Sequence, residues 1–484
     1  MRWAEPVRVL AVASEAYPLV KTGGLADVVG ALPKALARQG VRVVTMLPGY
    51  PAVLTALGQA REGRLIPDLF GGPARLLGGV AGGIELIAID APHLYARPGG
   101  PYQDPAGQDF PDNWRRFAGL AAAAALIAVE GWGGEGFAAV HAHDWQAGLT
   151  PAYLRHGRRP LPCLLTIHNL AFQGKFDAGI FPRLGLPWEA FSPRGVEYYG
   201  AVGYLKAGIW YADAISTVSP TYAAEIRTPA QGMGLDGLLR GRGDVLHGIL
   251  NGLDTEEWDP ATDRYLPQRF SAADVSPRAG NKALLQRRMG LAEDPAVPLF
   301  AYVGRLAWQK GVDLLLEAIP AVFAAGGQLV ILGSGEAELA GRCAAAAAAN
   351  RGRIGAHIGF SEELARLVYG GADALVLPSR FEPCGLAQLC ALRYGAVPIV
   401  ARVGGLADTV VDCNIAALGH GWGTGFVCAP GQPELLGEAI LRAAALWRDP
   451  PSWRRIQAHG MAQDVSWEPS AARYAALLRA LISA

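Results

Sequence analysis

Short β-branched runs that end in Gly, Ser or Pro alternate along the whole chain with longer Ala/Leu-rich segments, which confines the fold to repeated βα units around parallel sheets. The first part offers runs at 7–12, 41–47, 84–89, 138–143, 164–168, 214–218 and 245–250; the second offers 299–303, 328–332, 354–358, 374–377 and 397–401. The fold class expected is α/β, with two doubly wound sheets. Between them periodicity lapses over 254–280, a stretch rich in Asp, Pro, Arg and Ser, before a helix-like 281–289. The boundary is expected there, giving one domain over 1–253 and another over 254–466. A closing amphipathic helix is expected over 467–484, with Pro469 near its start. Two alanine tracts, 121–125 and 344–349, belong in helices covering the sheets.

At about 150 residues per domain, 484 residues allow two or three domains with substantial cores. The 43 Lys+Arg balance 43 Asp+Glu, and no basic run stands out, so neither nucleic acid nor an anionic membrane is an expected partner. The six cysteines, Cys163, Cys343, Cys384, Cys390, Cys413 and Cys428, form no CxxC pair, which argues against a disulfide framework or a cysteine zinc site and suits reducing cytoplasm. Met1-Arg2-Trp3-Ala4-Glu5-Pro6 lacks a signal-peptide core, and the apolar stretch 117–129 falls short of the roughly 20 residues of a membrane span.

Ligands of open α/β sheets bind beyond the carboxyl ends of the strands, so the residues following strands carry the chemistry. Lys21-Thr22-Gly23-Gly24-Leu25-Ala26-Asp27 follows the first strand and opens a helix: paired glycines let backbone N–H groups approach an anion, and Lys21 adds a mobile charge. An ordinary βα turn explains the same residues. The pattern is neither GxxxxGK[ST] nor GxGxxG. Gly404-Gly405-Leu406-Ala407-Asp408 echoes it and is expected to reuse the geometry, with a purely structural role open.

Gly304-Arg305-Leu306-Ala307-Trp308-Gln309-Lys310-Gly311 places two cations after another strand, suited to a diphosphate whose charge grows as its bond to a sugar breaks. Ser379-Arg380-Phe381-Glu382-Pro383-Cys384-Gly385-Leu386 again joins strand to helix; Glu382 can accept from sugar hydroxyls or cap the helix, and amides after Gly385 can meet phosphate. His141-Ala142-His143-Asp144 puts two histidines on one strand face, but no further ligands stand at metal-site spacing, so no metal is expected. His168, in Thr166-Ile167-His168-Asn169, reads as a packed or a functional histidine.

Six ordered motifs resemble bacterial glycogen synthase and plant starch synthase, the retaining glucosyltransferases that extend α-1,4-glucan from ADP-glucose: Lys21–Leu25, His141–Trp145, Thr166–Leu170, Asn251–Asp254, Arg305 with Trp308–Gly311, and Glu382–Leu386. The resemblance implies a GT-B fold, two Rossmann-like domains facing across a deep cleft, and a final helix returning to the first domain. It implies that Lys21, Gly23 and Gly24 meet the donor's phosphates, with Arg305 and Lys310 opposite them. Glu382 and His168 would hold the transferred glucose, helped by Asn251 and by backbone amides at Cys384, Gly385 and Leu386. Asp144 would lie near the reacting sugar or acceptor. Phe360 stands where the family often has tyrosine against adenine, a change that keeps stacking and loses a phenolic hydrogen bond. Met233 replaces another common aromatic on the acceptor side.

The implied partners are ADP-glucose and an α-1,4-glucan, with no cofactor. The implied route is metal-independent: the glucosyl–phosphate bond loosens, and the acceptor's 4-hydroxyl attacks from the leaving phosphate's face. Domain closure would keep water from the electrophilic sugar. A lysine-bound pyridoxal phosphate in a glycan phosphorylase-like enzyme, and a non-catalytic glucan-binding protein, are the competing readings. The joint presence of Lys21, His168, Arg305, Lys310 and Glu382 speaks against the second.

Overall fold

The computed structural model describes residues 6–157 and 160–484. Residues 1–5, part of the N-terminal stretch read above, lie outside the described residues. Two compact units divide the chain: Met1–Asn251 with Trp467–Ala484, and Gly252–Ser466. The division falls two residues before 253/254 because Leu253 already pairs with the second unit, its N–H donating to the Val465 carbonyl at 2.7 Å.

The first unit is built on β1 (Val7–Val12), β2 (Val41–Pro48), β3 (Arg61–Ile66), β4 (Ala74–Ala81), β5 (Ile84–Asp90), β6 (Ala139–His143) and β7 (Cys163–Ile167). Three short strands follow, β8 (Lys175–Phe176), β9 (Glu197–Tyr198) and β10 (Ala201–Gly203), and form their own antiparallel sheet. With β11 (Ala214–Thr217) and β12 (Leu246–Gly248), the main sheet runs β12-β11-β7-β6-β1-β2-β5-β4-β3. It is parallel from β12 to β5, but β4 and β3 are antiparallel, which corrects the expectation of a wholly parallel sheet. The cause is local: Gly82 and Gly83 turn the chain straight from β4 into β5, leaving no room for a crossover helix.

The second unit holds β13 (Leu299–Val303), β14 (Gln328–Gly333), β15 (Ile354–Ile358), β16 (Ala374–Leu377), β17 (Val397–Ala401) and β18 (Phe426–Cys428). They pair in parallel in the order β15-β14-β13-β16-β17-β18. Renumbered within the unit this is 3-2-1-4-5-6, the doubly wound dinucleotide-binding order, whose direction reverses between β13 and β16. Alternate residues serve opposite faces: Leu299, Ala301 and Leu375 enter one core, while Phe300, Tyr302 and Val376 enter the other.

Residues 254–280 are no linker. Leu266 and Phe270 are buried in the second unit's core, and Asp263 accepts from the Tyr394 hydroxyl at 2.6 Å and faces the buried Arg366. Packing here follows single anchors without a repeating period, so periodicity misses it. Both alanine tracts lie in helices, Asn113–Glu130 and Ala337–Ala349.

The closing helix, Glu468–Ser483, belongs to the first unit. Trp467, Ala471, Tyr474, Ala475 and Leu478 are buried against Val7, Val9, Leu32 and Leu36. Arg38 pairs with Glu468, and Arg479 donates to the Gln39 carbonyl. Among the described residues no helix is long and apolar enough to cross a membrane.

Candidate active site

In the second unit the candidate residues gather where the sheet reverses. After β13 the chain passes Gly304 and exposed Arg305, then makes a single 3-10 turn, Trp308–Lys310. It leaves that turn through Gly311 at φ 67°, where a Cβ would stand 2.1 Å from the Pro378 carbonyl, so only glycine lets the β13 and β16 loops approach this closely. Lys310 Nζ donates to Glu382 Oε2 at 2.5 Å, and Ser379 Oγ donates to the same oxygen at 3.0 Å. Their side chains are 22% and 11% exposed for Lys310 and Glu382, so the pair is largely desolvated while still reachable. Arg305 is held through its backbone, its carbonyl accepting from the Tyr302 hydroxyl at 2.5 Å, which leaves the guanidinium at the surface.

The helix Ala387–Tyr394 starts just beyond this pair with no side-chain cap, so its first amides stay open to a ligand. Buried Gln388 braces Cys384, Gly385 and Leu386, donating to the Cys384 and Gly385 carbonyls at 3.1 and 3.0 Å. The glycine-pair echo acts here. Gly405 N–H donates to the Glu382 carbonyl at 3.1 Å, and a Cβ on Gly404 (φ 40°) would stand 1.9 Å from that oxygen. Gly404 and Gly405 thus clamp the Glu382 loop, a structural role. Phe360 follows β15 and is 80% exposed, its ring available for stacking.

In the first unit the corresponding loops follow β1, β6 and β7. Gly23 and Gly24 head the helix Gly24–Arg38 without a side-chain cap, and a Cβ on either would meet nothing within 4 Å, so the space above these amides is open. Lys21 is ion-paired with Asp27 at 2.8 Å and remains 41% exposed. Behind the loop, Glu15 accepts from the Thr22 hydroxyl at 2.7 Å and from the Tyr102 hydroxyl at 2.6 Å.

Asp144 directly follows β6 at φ 55° and ψ −168°, a region left almost entirely to glycine, and strain of this kind concentrates at functional sites. Its Oδ1 accepts from the His168 backbone N–H at 2.7 Å, yet burial pushes its carboxyl up to about 7. His168 lies beside it, its Nε2 3.0 Å from His143 Nδ1. Burial holds His168 and His141 neutral, both pushed down to about 3. Asn251 is buried, and its Oδ1 has no hydrogen-bond partner among the described residues. Among those residues no group of three or more His, Cys, Asp or Glu side chains is placed to hold a metal ion.

Each sequence-derived residue therefore falls at a strand end of its own unit. Arg305, Lys310, Glu382, Cys384, Gly385 and Leu386 gather at one switch point; Asp144 and His168 touch each other; Phe360 follows β15, two strands along from β13. Sequence reasoning missed Ser379, Gln388, Glu15 and Tyr102, and read His143 only as part of the His141–Asp144 motif, without its pairing to His168. Only Ser379, three residues before Glu382, carried a local signal.

Two Rossmann-like units with cation- and glycine-bearing loops after their strands fit the GT-B class of glycosyltransferases. A family model described as Starch synthase catalytic domain matches residues 8–241, and one described as Glycosyl transferases group 1 matches 287–456. The glycogen synthase of Acidiphilium cryptum is 55% identical over 99% of this chain and 100% of its own length. Glycogen synthase 2 of Bradyrhizobium diazoefficiens is 53% identical over 99% and 98%. The catalytic domain of starch synthase IV from Arabidopsis thaliana, solved with ADP and acarbose bound, superposes with a TM-score of 0.88 at 30% identity, covering 99% of this chain and 100% of that one. Sucrose-phosphate synthase from Thermosynechococcus elongatus, 19% identical with a TM-score of 0.59, shares the fold. The chain belongs to the glycogen synthase family and is a glucosyltransferase.

Proposed function

We propose that the chain transfers glucose from ADP-glucose to the non-reducing end of an α-1,4-glucan with retention of configuration. The observation that carries this reading is the Lys310–Glu382 pair beside exposed Arg305 at the reversal of a 3-2-1-4-5-6 sheet, because it sets fixed positive charge and a hydroxyl acceptor side by side. The ADP in the Arabidopsis starch synthase structure supports the nucleotide.

Arg305 and Lys310 meet the diphosphate and gain strength as its charge rises in the transition state. The backbone amides at Cys384, Gly385 and Leu386, and those at Gly23 and Gly24 with Lys21, serve the donor's phosphates. Glu382 and His168 hold the glucose, and the unsatisfied Asn251 Oδ1 accepts a further hydroxyl. Phe360 stacks on the adenine. Asp144 lies near the reacting sugar or acceptor. The bond from glucose C1 to the β-phosphate oxygen breaks, the acceptor O4 bonds to C1 on the same face, and the O4 proton passes to the departing phosphate oxygen. ADP leaves. Six buried cysteines fit a reducing cytoplasm.

Coupled assays of ADP and UDP release, with glycogen as acceptor and each nucleotide sugar as donor, test the reading. Preferential ADP release and an α-anomeric product signal by NMR are expected. Preference for UDP-glucose would overturn the donor, and a β-linked product would overturn retention.

A further inference from the structure

Behind His168 lies a buried polar stack that the proposed function leaves unused. β6 and β7 pair so that His143 lies opposite Thr166, and His168 extends one residue beyond the end of β7. His143 Nδ1 is 3.0 Å from His168 Nε2. The His141 ring lies against His143 with centroids 4.0 Å apart, and His141 Nε2 is 2.6 Å from Thr166 Oγ1, itself 2.6 Å from Ser216 Oγ. All three rings are buried.

We propose that His143 is a positioning residue for glucosyl transfer: it binds Nε2 of His168, fixes that ring, and leaves His168 Nδ1 as the nitrogen that meets the donor's sugar. The inference rests on the reading of His168 as a glucose-holding residue. Apolar side chains would fill this volume without the cost of burying imidazoles, so their hydrogen-bonding capacity is the feature to be explained. A neutral imidazole carries one donor and one acceptor nitrogen, so committing Nε2 of His168 fixes the character of its Nδ1. His141, tied to Thr166 and Ser216, blocks His143 from behind, and His143 cannot turn away without breaking the stack. The arrangement is the usual second layer behind a ligand-holding histidine.

The test uses two neutral amides in the full-length enzyme. In His143→Asn a polar atom keeps the place of Nδ1; in His143→Gln it moves one carbon further out. Turnover within threefold of the parent is expected for His143→Asn. For His143→Gln, a fall in kcat of about tenfold is expected, with KM for ADP-glucose changed less than threefold, the loss of one well-placed hydrogen bond. Adding His143→Gln to His168→Ala should cost nothing more, because the group being positioned is gone. A parental kcat for His143→Gln, or the same tenfold loss on top of His168→Ala, would overturn the proposal, the latter showing a purely structural role. Parental turnover by His168→Ala would instead sink the reading of His168 itself. Should His143→Gln not fold, the imidazole 15N spectrum of the parent decides, with the His168 signals assigned by their loss in His168→Ala: one fixed tautomer is expected, and averaged tautomers overturn the proposal.

Discussion

Lys310 and Glu382 pair at 2.5 Å, and what the pair offers is fixed direction. In the proposed reading a donor diphosphate would add negative charge near Lys310 and Arg305, and losing one such preorganised cation costs about 3 kcal/mol, roughly a hundredfold in rate. Arg305→Ala and Lys310→Ala should each depress kcat by about that factor in an ADP-release assay while melting like the parent. Asp144 makes a separate prediction about pH. Its carboxyl titrates near 7 in the folded chain against an ordinary 3.8, so between those values the folded state holds a proton that the unfolded state has released. Stability from this group therefore falls as pH rises through that window and levels off above it. Asp144→Asn, which keeps the acceptor for the His168 N–H, should raise the melting temperature at pH 8 and converge with the parent near pH 4. The cationic and glycine-bearing site residues were legible because each sits in a short motif next to a strand end. Tyr102, Glu15 and the pairing of His143 with His168 were not, because the partners stand 87, 7 and 25 residues away, and only the fold supplies those pairings.

At the scale of elements, the site depends on loops held by close backbone approach. The Glu382 loop touches the start of helix Gly404–Thr409 through a carbonyl that leaves no room for a side chain. Gly404→Ala adds both a clash and an unfavourable positive φ, worth about 2–4 kcal/mol together. The expected result is a lowered melting temperature with a larger proportional loss of kcat than of KM, since Glu382 moves with its carbonyl. Parental activity in that variant would show the clamp to be dispensable. Two physical causes hid strands from the sequence. β3 presents five exposed residues before Ile66, so its hydrogen bonds rather than its apolar content define it. β8, β9 and β10 are two or three residues long, below any periodicity. The parallel strands other than the three-residue β18 were visible because burial on both faces writes continuous β-branched runs.

At the scale of the whole molecule, the helix Glu468–Ser483 completes the core of the first unit although 215 residues of the second unit, Gly252–Ser466, precede it in the chain. Removing 467–484 would bare Val7, Val9, Leu32 and Leu36 and break the Arg38–Glu468 pair. A melting temperature lower by roughly 10 °C or more is expected, from the several kcal/mol of apolar burial lost. An unchanged melt would mean that the helix is an accessory. Tyr474, whose ring lies 5.6 Å from that of His141, also brings the helix to the back of the histidine stack, so the shortened enzyme should lose turnover as well. This placement governs biosynthesis. On the ribosome the leading half of the nascent polypeptide emerges early but must wait, with sticky surface uncovered, until the last codons of this stretch have been read. A translating cell would be expected to shield that waiting half with chaperones, and premature termination anywhere upstream of codon 467 would release a product fit for degradation rather than a smaller working enzyme.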